Sequence, residues 1–380
     1  MIRKIFLVLA TPPVLFNQFL NPFYILFFSL SKFRAFNEIN IIFWIISITT
    51  LISFSAQFIL NINNSMFSQQ GHFLSLIAFF IPLLVLIFKI DLSVEDILHS
   101  ILYGCLGYSL FFCIILFFVE QPPLTCVGCV KSIDFIGFPQ RFISLVVLGS
   151  AIAFANLLRR GSLFYGVSFL FLLIPIFFSY TRSIWIEFLA TFLFIFIFSF
   201  FYLSLKKKLF ISSLLILIIF IFLNVFWLYP DSLFILLIKG LFISSFEALR
   251  SVFDANSGTI FFSTNSEGQR TYFWKLAIDV FFDYPILGTG LAGLYQFGYP
   301  EYGSVHSQWI DHLMRTGLLG LLIYVYFYVE ICFQYYKKYP EVTCWVIGLT
   351  FFGLFNESTK IISIAMIFFI LLNKAIYREV

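Results

Sequence analysis

The feature that most constrains this chain is its succession of uncharged apolar stretches. A hydrocarbon core of about 30 Å requires about 20 residues of α-helix, and stretches of about this length recur along most of the 380 residues. Of all residues, 61% are hydrophobic and 11% are charged, and the mean hydropathy is +1.00. These values exclude a water-soluble globule, so the sequence predicts an all-α polytopic membrane protein.

About 11 membrane-spanning helices are predicted, within a range of 10–12. They cover residues 5–30, 39–60, 73–90, 97–119, 142–158, 162–178, 184–205, 209–229, 312–334, 341–356 and 361–373. The first stretch is ambiguous because Pro12, Pro13 and Pro22 interrupt it. It either crosses the membrane or folds back as a re-entrant segment, and we prefer a full crossing. No internal repeat is evident, so we interpret residues 1–380 as one membrane domain.

The basic residues predict how the chain is oriented. Short cytoplasmic loops carry an excess of Lys and Arg, and here one side holds 12 of them and the short loops of the other side hold 4. The 12 are Lys32, Arg34, Lys89, Arg159, Arg160, Lys206, Lys207, Lys208, Lys337, Lys338, Lys374 and Arg378. That side is therefore predicted to be cytoplasmic, and the long loop 230–311 is predicted to be external.

The long loop 230–311 is predicted to contain short helices. Its first part has apolar residues at helical spacing with charged residues between them, which indicates amphipathic helices packed on the bilayer or on the protein. A second helix is predicted from Arg270 to Phe282, with Trp274 on the same face as Arg270. Pro285 ends that helix.

Three residues of the external side are candidates for a site. Arg182 lies in a tight turn between two apolar stretches, Arg270 begins the predicted loop helix, and His306 is predicted to begin the next helix. The simpler interpretations are an interfacial anchor for Arg182 and a structural, hydrogen-bonded role for His306. If the three converge, guanidinium groups and an imidazole at an outer-leaflet pocket suit an anionic lipid diphosphate.

Two further motifs resemble a dinucleotide-binding site and a zinc site, but each has a simpler explanation. Gly288, Gly290 and Gly293 spell the dinucleotide fingerprint, but neither a strand before them nor a soluble sheet domain accompanies it, so we interpret them as turn residues. Cys126 and Cys129 form a C-x-x-C in an external loop without a second pair or a nearby His, which favours a local disulfide over zinc.

No metal site and no cofactor are predicted. Metal-dependent transfer of a phosphorylated donor would require clustered carboxylates on the external side. The first external loop, residues 61–71, contains no acidic residue, and the long loop 230–311 contains no D-x-D motif. Nucleic acid is not an expected partner.

The motifs TRSIW, R-x3-W followed by YPILGTG, and HSQWIDHLMRTGLLG together resemble the O-antigen ligase and polymerase superfamily of bacterial inner-membrane enzymes. The resemblance covers roughly residues 150–335. It implies a GT-C-like fold, an active site that faces the periplasm, and a sugar donor linked to undecaprenyl diphosphate. By this resemblance Arg182 and Arg270 hold the donor diphosphate, and His306 acts near the acceptor hydroxyl.

One departure from the family pattern concerns the residues after the histidine. Many relatives have Asn directly after it and an acid further along, where this chain has Ser307 and Arg315. The Arg315 change leaves His306 without an acidic partner at that position.

The resemblance implies a polysaccharide polymerase that joins lipid-linked repeat units, with a chain-length regulator or other polysaccharide-assembly proteins as possible partners. The alternatives are an O-antigen ligase that uses lipid A core as the acceptor, and a flippase or other transporter for lipid-linked oligosaccharides.

Overall fold

The chain folds almost wholly as α-helices over the residues that its computed structural model describes. Those residues are 1–10, 22–41, 43–45, 47–48, 83–118, 143–177, 182–202, 266–290, 305, 307–356 and 361–380. Within these ranges the α-helices are α1 (Ile2–Ala10), α2 (Pro22–Ser29), α3 (Val94–Phe118), α4 (Ile143–Arg160), α5 (Leu163–Phe177), α6 (Arg182–Tyr202), α7 (Ser266–Asp283), α8 (Gln308–Tyr335), α9 (Pro340–Phe352) and α10 (Ile362–Ile376). Two short strands, β1 (Lys32–Phe33) and β2 (Phe88–Lys89), pair in antiparallel fashion.

Most of these helices coincide with predicted membrane spans. The helices α3–α6 and α8–α10 overlap the predicted spans that begin at residues 97, 142, 162, 184, 312, 341 and 361. Among the described helices, α3, α4 and α8 are long and apolar enough to cross a membrane, and α5, α6, α9 and α10 are shorter apolar helices. They fit an all-α membrane protein, whereas the span 209–229 and most of 39–60 lie outside the described residues.

The end of the predicted span 73–90 is not helical. A 3-10 turn occupies Val85–Ile87 and β2 follows it directly, so the apolar sequence continues after the helical conformation has stopped. The reason is that this segment binds another part of the chain. The carbonyls of Val85 and Phe88 each accept a hydrogen bond at 2.9 Å from the side chain of Asn373.

The first predicted span, residues 5–30, contains two short helices in its described parts. The helices α1 and α2 have 9 and 8 residues, so neither reaches the length of a span. The Arg3 guanidinium donates a hydrogen bond to the carbonyl of Leu30, which shows that both ends of the segment lie together. Arg3 also binds Asp91 at 2.7 Å, and this bond holds the pKa of that carboxyl below its usual range. The contact between its two ends favours the re-entrant alternative over the preferred full crossing, and residues 11–21 lie outside the described residues.

Ion pairs close one end of the helical bundle, which we call the basic end. Arg159 at the end of α4 donates two hydrogen bonds to Glu341 at the start of α9, at 3.0 and 2.6 Å. Arg160 binds Glu95 of α3 at 2.5 Å, and Arg3 of α1 reaches the same end. These contacts place several of the basic residues that the sequence assigned to one side at one end of the bundle.

The C-terminal segment is attached to the basic end by a second group of charges. Arg34 and Lys374 each bind a carboxylate oxygen of Glu379 at 2.8 Å, and Lys374 also donates to the carbonyl of Ile90. Burial raises the pKa of Glu379, but the hydrogen bonds from Lys374 and Arg34 outweigh it, so the pKa lies below its usual range. The chain end is thereby fixed to the segments next to β1 and β2.

Close contact between α6 and α9 forms the centre of the bundle. A Cβ atom at Gly348 would lie 2.8 Å from the carbonyl oxygen of Glu187, so only a residue without a side chain permits this approach. The buried Glu187 accepts hydrogen bonds from the Ser144 hydroxyl at 2.6 Å and from the Trp345 indole at 3.1 Å. These bonds connect α4, α6 and α9 and fix the position of α6, which begins at Arg182.

Candidate functional site

The helix α8 is interrupted at Gly317, whose φ of 64° and ψ of −166° are not helical. We call residues 308–316 the short limb and residues 318–335 the long limb. At a rise of 1.5 Å per residue the long limb alone is about 27 Å long. The predicted span 312–334 is thus wrong at its start, because its first six residues belong to the short limb and to the break.

The two limbs lie side by side in opposite directions. The Gln308 amide donates a hydrogen bond to the Tyr328 hydroxyl at 2.9 Å, and the rings of His312 and Tyr324 lie 4.0 Å apart. Early residues of the short limb thus contact later residues of the long limb, as in a helical hairpin. The start of the short limb, which directly follows His306 and Ser307, is therefore brought back beside the middle of the long limb.

A turn that follows α7 replaces the backbone hydrogen bonds that the break removes. We call residues 285–290 the bridging turn. Its carbonyls accept hydrogen bonds from the two N–H groups after the break, from Leu318 to Pro285 at 2.9 Å and from Leu319 to Ile286 at 3.2 Å. Its own N–H groups donate to two carbonyls before the break, from Thr289 to Met314 at 2.8 Å and from Gly290 to Arg315 at 2.9 Å. Unsatisfied backbone groups are costly away from water, so this exchange makes the break stable.

Glycine is required where the bridging turn meets the break. Gly288 and Gly290 have φ of 68° and 92°, a left-handed conformation that other residues rarely adopt. A Cβ atom at Gly288 would lie 2.5 Å from the nitrogen of Gly317. The predicted role of Gly288 and Gly290 as turn residues is confirmed, and Gly293 lies outside the described residues.

The i, i+4 spacing of Asp311 and Arg315 predicts an ion pair within the short limb, and the structure confirms this pair and buries it. The Arg315 side chain donates to Asp311 at 2.7 Å, and the two side chains are 0% and 2% exposed. A carboxylate and a guanidinium at this depth neutralise each other, and removal of either one would leave a buried charge. The pair therefore gives the short limb a fixed, uncharged interior next to the bridging turn.

Helix α7 positions the segment that leads to His306. It extends over Ser266–Asp283, slightly beyond the predicted range, and buries Phe273, Trp274 and Ala277 against the short limb. The Trp274 indole donates a hydrogen bond to the carbonyl of Val305 at 2.8 Å. Arg270 precedes Trp274 by one helical turn, so this bond connects the helix of one candidate residue to the neighbour of another.

Polar residues at the end of the bundle opposite the basic end connect α6, α8 and α9. The Asn356 side chain donates to the hydroxyl of Ser183, while the Asn356 carbonyl accepts from the Gln308 N–H at 3.2 Å. The Ser307 hydroxyl donates to the carbonyl of Gly353 at 3.5 Å. Ser183 follows Arg182 directly and Ser307 follows His306 directly, so the same hydrogen bonds join the neighbours of these two candidates.

The structure brings together the segments that carry the three predicted site residues. Arg182 is the first residue of α6 and Arg270 lies near the start of α7, but their side chains and the whole of His306 lie outside the described residues. The α-helix begins at Gln308 with Ser307 in the capping position, so the prediction that His306 begins it is wrong by two residues. The roles of the three side chains stay predictions.

Sequence reasoning missed the polar residues that surround these segments. Asn356 and Tyr328 stand inside or at the end of apolar stretches, and Gln308 follows the histidine motif without a pattern of its own. A polar side chain in a predicted span is the signal that could have indicated them. Together they form a buried network of uncharged donors and acceptors that connects α6 with both limbs of α8.

Several predictions fall on parts of the chain that the structure does not describe. These are the Cys126–Cys129 disulfide and the amphipathic helices in the first part of the loop 230–311. Within the described ranges, no group of three or more His, Cys, Asp or Glu side chains could hold a metal ion.

Comparison with known proteins identifies the central part of the chain. Residues 167–325 match the sequence model of a family described as O-antigen ligase, and no curated protein matches the chain. The matched range contains α6, α7, the bridging turn and the short limb, which are the elements that form the site described above. Over residues 167–325, the chain is therefore similar to the O-antigen ligase family, whose members are glycosyltransferase-like enzymes.

Proposed function

We propose that this protein is a polysaccharide polymerase that joins repeat units linked to undecaprenyl diphosphate at the periplasmic face of a bacterial inner membrane. The observation that carries the proposal is the convergence of three segments. The bond from Trp274 to Val305 joins α7 to the segment of His306. The bonds of Asn356 with Gln308 and Ser183 join that segment to the start of α6, where Arg182 lies. A family match over the same segments supports this assignment.

The proposed chemistry needs one base and a site for a diphosphate. A hydroxyl group of one repeat unit attacks the anomeric carbon of another, a glycosidic C–O bond forms, and the bond to the diphosphate breaks. His306 takes the hydroxyl proton, which is a typical task for a general base. Arg182 and Arg270 bind the diphosphate, whose charge increases as it leaves, so no metal is required.

The second candidate is an O-antigen ligase, which performs the same reaction with lipid A core as the acceptor. The description of the matched family favours it. The two functions use the same lipid-linked donor and form the same kind of glycosidic bond, so the difference lies only in the acceptor. A chain-length regulator is an expected partner of the polymerase and not of the ligase.

Transport of a lipid-linked oligosaccharide is the third candidate, and the structure gives it less support. A transport path would need polar groups that line the middle of several helices. The buried Glu187 is instead occupied by hydrogen bonds from Ser144 and Trp345. The polar groups of the candidate site, Ser183, Ser307, Gln308 and Asn356, gather at the end of the bundle opposite the basic end.

A deletion strain tests the three candidates with one gel of its lipopolysaccharide. A polymerase defect leaves core with a single repeat unit, and a ligase defect leaves bare core with accumulated lipid-linked polymer. Loss of all lipid-linked glycan at the outer leaflet would indicate transport. A strain that carries His306→Ala in place of the deletion should give the same pattern as the deletion, and normal lipopolysaccharide in both strains would contradict the proposed function.

A further inference from the structure

One face of α6 carries a stripe of buried polar side chains. Ser183, Glu187 and Thr191 follow one another at intervals of four residues, so they lie on the same side of the helix. All three side chains are buried. Polar groups inside a spanning helix are costly unless the structure or the function uses them. This stripe therefore requires an explanation, and it begins at the residue after Arg182.

The stripe lies where α6 packs against α9 and the turn that follows it. The Ser183 hydroxyl accepts a hydrogen bond from the side chain of Asn356. Eight residues further along α6, a Cβ atom at Gly348 would overlap with the Thr191 hydroxyl. The start of α6 thus contacts the segment after α9, and its later part contacts the middle of α9. These contacts fix both the height and the rotation of α6 in the bundle.

The Glu187 carboxyl in the middle of the stripe uses only one of its oxygens. Its Oε1 atom accepts from the Ser144 hydroxyl at 2.6 Å and from the Trp345 indole at 3.1 Å. Its Oε2 atom is also buried and has no hydrogen-bond partner among the residues that the structure describes. A carboxylate offers about four sites to hydrogen-bond donors, so an ionised Glu187 would be poorly satisfied.

The partners of Glu187 differ from those of the other buried acids. Asp311 and Glu341, the other two buried acids of the described ranges, are each bound by an arginine. Both groups that donate to Glu187 are neutral, and no lysine or arginine of the described ranges is bonded to it. Burial of an ion without a counter-ion costs far more than burial of a neutral group. A proton on Oε2 removes this cost and leaves Oε1 free to accept both bonds.

We propose that Glu187 is a neutral carboxylic acid that positions Arg182, and the positioning role rests on the function proposed above. Its accepting oxygen brings the Ser144 hydroxyl of α4 and the Trp345 indole of α9 to one point, which fixes α6 five residues after Arg182. This role requires an acceptor of the right shape and no charge. Glutamine should therefore replace Glu187, whereas leucine would leave two buried donors without an acceptor.

Infrared spectra of the purified protein test the charge state. Exposed acids are ionised at neutral pH, so the parent should show the C=O stretching band of a buried, protonated carboxylic acid. Glu187→Gln should lose this band and keep its carboxylate bands unchanged. A parent without any protonated-acid band would overturn the neutral state, and that measurement needs no variant. Loss of carboxylate intensity in Glu187→Gln would overturn it as well.

Affinity for undecaprenyl diphosphate tests the positioning role. Glu187→Gln should bind this lipid as the parent does, and Glu187→Leu should bind it at least about fivefold more weakly, the effect of one lost hydrogen bond to a charged group. Asn373→Leu is the matched control, because Asn373 is also buried and also makes two hydrogen bonds to one partner segment, but lies at the basic end. It should lower the melting temperature and keep the affinity. Ser144→Ala, which removes one of the two donors, replaces Glu187→Leu if that variant does not fold, and it should also weaken binding.

The outcomes separate this inference from the proposed function. If the parent does not bind undecaprenyl diphosphate, the proposed function and the positioning role fail together, while the infrared spectra still decide the charge state. If the parent binds it and the Leu or Ala variant keeps the affinity, the function stands and Glu187 does not position Arg182. If Glu187→Gln loses as much affinity as Glu187→Leu, the acid itself is required and the role of a neutral acceptor is overturned.

Discussion

The indole N–H of Trp274 donates a hydrogen bond to the carbonyl of Val305 at 2.8 Å. This bond joins a helix in the middle of the family domain to the residue that precedes His306. Trp274 is itself buried against the short limb. The position of the histidine segment thus depends on a side chain that belongs to the helix of Arg270.

Trp274→Phe should lower the turnover rate clearly more than Tyr335→Phe does, while the two variants lose similar amounts of thermal stability. Phenylalanine keeps most of the buried ring but cannot donate to Val305, and a lost hydrogen bond costs about 1 kcal/mol. Tyr335→Phe is the matched control, because the Tyr335 hydroxyl also donates to a backbone carbonyl, that of Leu371 at 3.0 Å. The rate and the melting temperature are measured for both variants. An equal loss of rate in the two would show that the Val305 bond has no special role in positioning.

Gly288→Ala and Gly317→Ala should each destabilise the protein by at least about 2 kcal/mol. Both glycines have positive φ, where a side chain costs about 1–2 kcal/mol, and each new Cβ would overlap with backbone atoms of the other segment. Gly107→Ala is the control, since no atom lies within 4 Å of its Cβ position. Thermal melting in detergent is the measurement. Unchanged melting of the Gly288 variant would mean that the bridging turn can detach without cost.

Arg182→Ala and Arg270→Ala should impair donor binding and catalysis together. Lys at either position should restore only part of the activity, because an ammonium group cannot reproduce the two-pronged contact of a guanidinium. His306→Ala should bind the donor nearly normally and turn over at least about a hundredfold more slowly. The parent rate should fall as the pH drops through the titration of the histidine. If His306→Ala loses donor binding as the arginine variants do, the histidine is a third ligand of the diphosphate.

Reporters fused at the two termini should report the same compartment. Arg3 contacts Leu30 and Asp91, and the C-terminal Glu379 binds Arg34 and Lys374, so both termini lie at the basic end. A reporter after Lys207 should agree with them, and one after Asn256 should report the opposite side. Disagreement between the two termini would restore the full crossing of the first segment.

Acid should detach the C-terminal segment, and Glu379→Gln should remove this sensitivity. The folded pKa of Glu379 lies below its ordinary value of 4.5, so its charge stabilises the fold above about pH 4.5 and the gain is lost as the pH falls through the folded value. Melting temperatures below about pH 4.5 should differ by a few degrees between parent and variant at most. Glu38→Gln, an exposed control beside the same segment, should follow the parent. A variant that retains the full acid-dependent decrease would show that other carboxylates cause it.

The sequence was sufficient for the features that depend on local pattern. Apolar length predicted α3, α4 and the long limb, because a spanning helix satisfies its own backbone and needs only apolar side chains. The i, i+4 spacing predicted the Asp311–Arg315 pair, because one helical turn fixes the distance between the two side chains. The resemblance to the superfamily is confirmed because its motifs are carried by such local segments.

The features that the sequence did not predict depend on contacts between distant segments. Gly317 stands in an apolar run that reads as one continuous helix, and only the bridging turn, about 30 residues earlier, supplies the bonds that make a break possible. The position of Arg3 could not be predicted from the neighbouring sequence, because its partners Leu30 and Asp91 are distant in the chain. The polar contact between Asn356 and Ser183 likewise joins residues 173 positions apart.

A break at a glycine in a membrane helix is a common place for a hinge. At Gly317 the backbone groups on both sides of the break are bonded to the bridging turn, which continues directly from α7. To change the angle between the limbs, four hydrogen bonds would have to open where little water is available to replace them. Helix α7 therefore braces the angle between the two limbs, although it precedes them in the chain and is separated from them by the segment of His306.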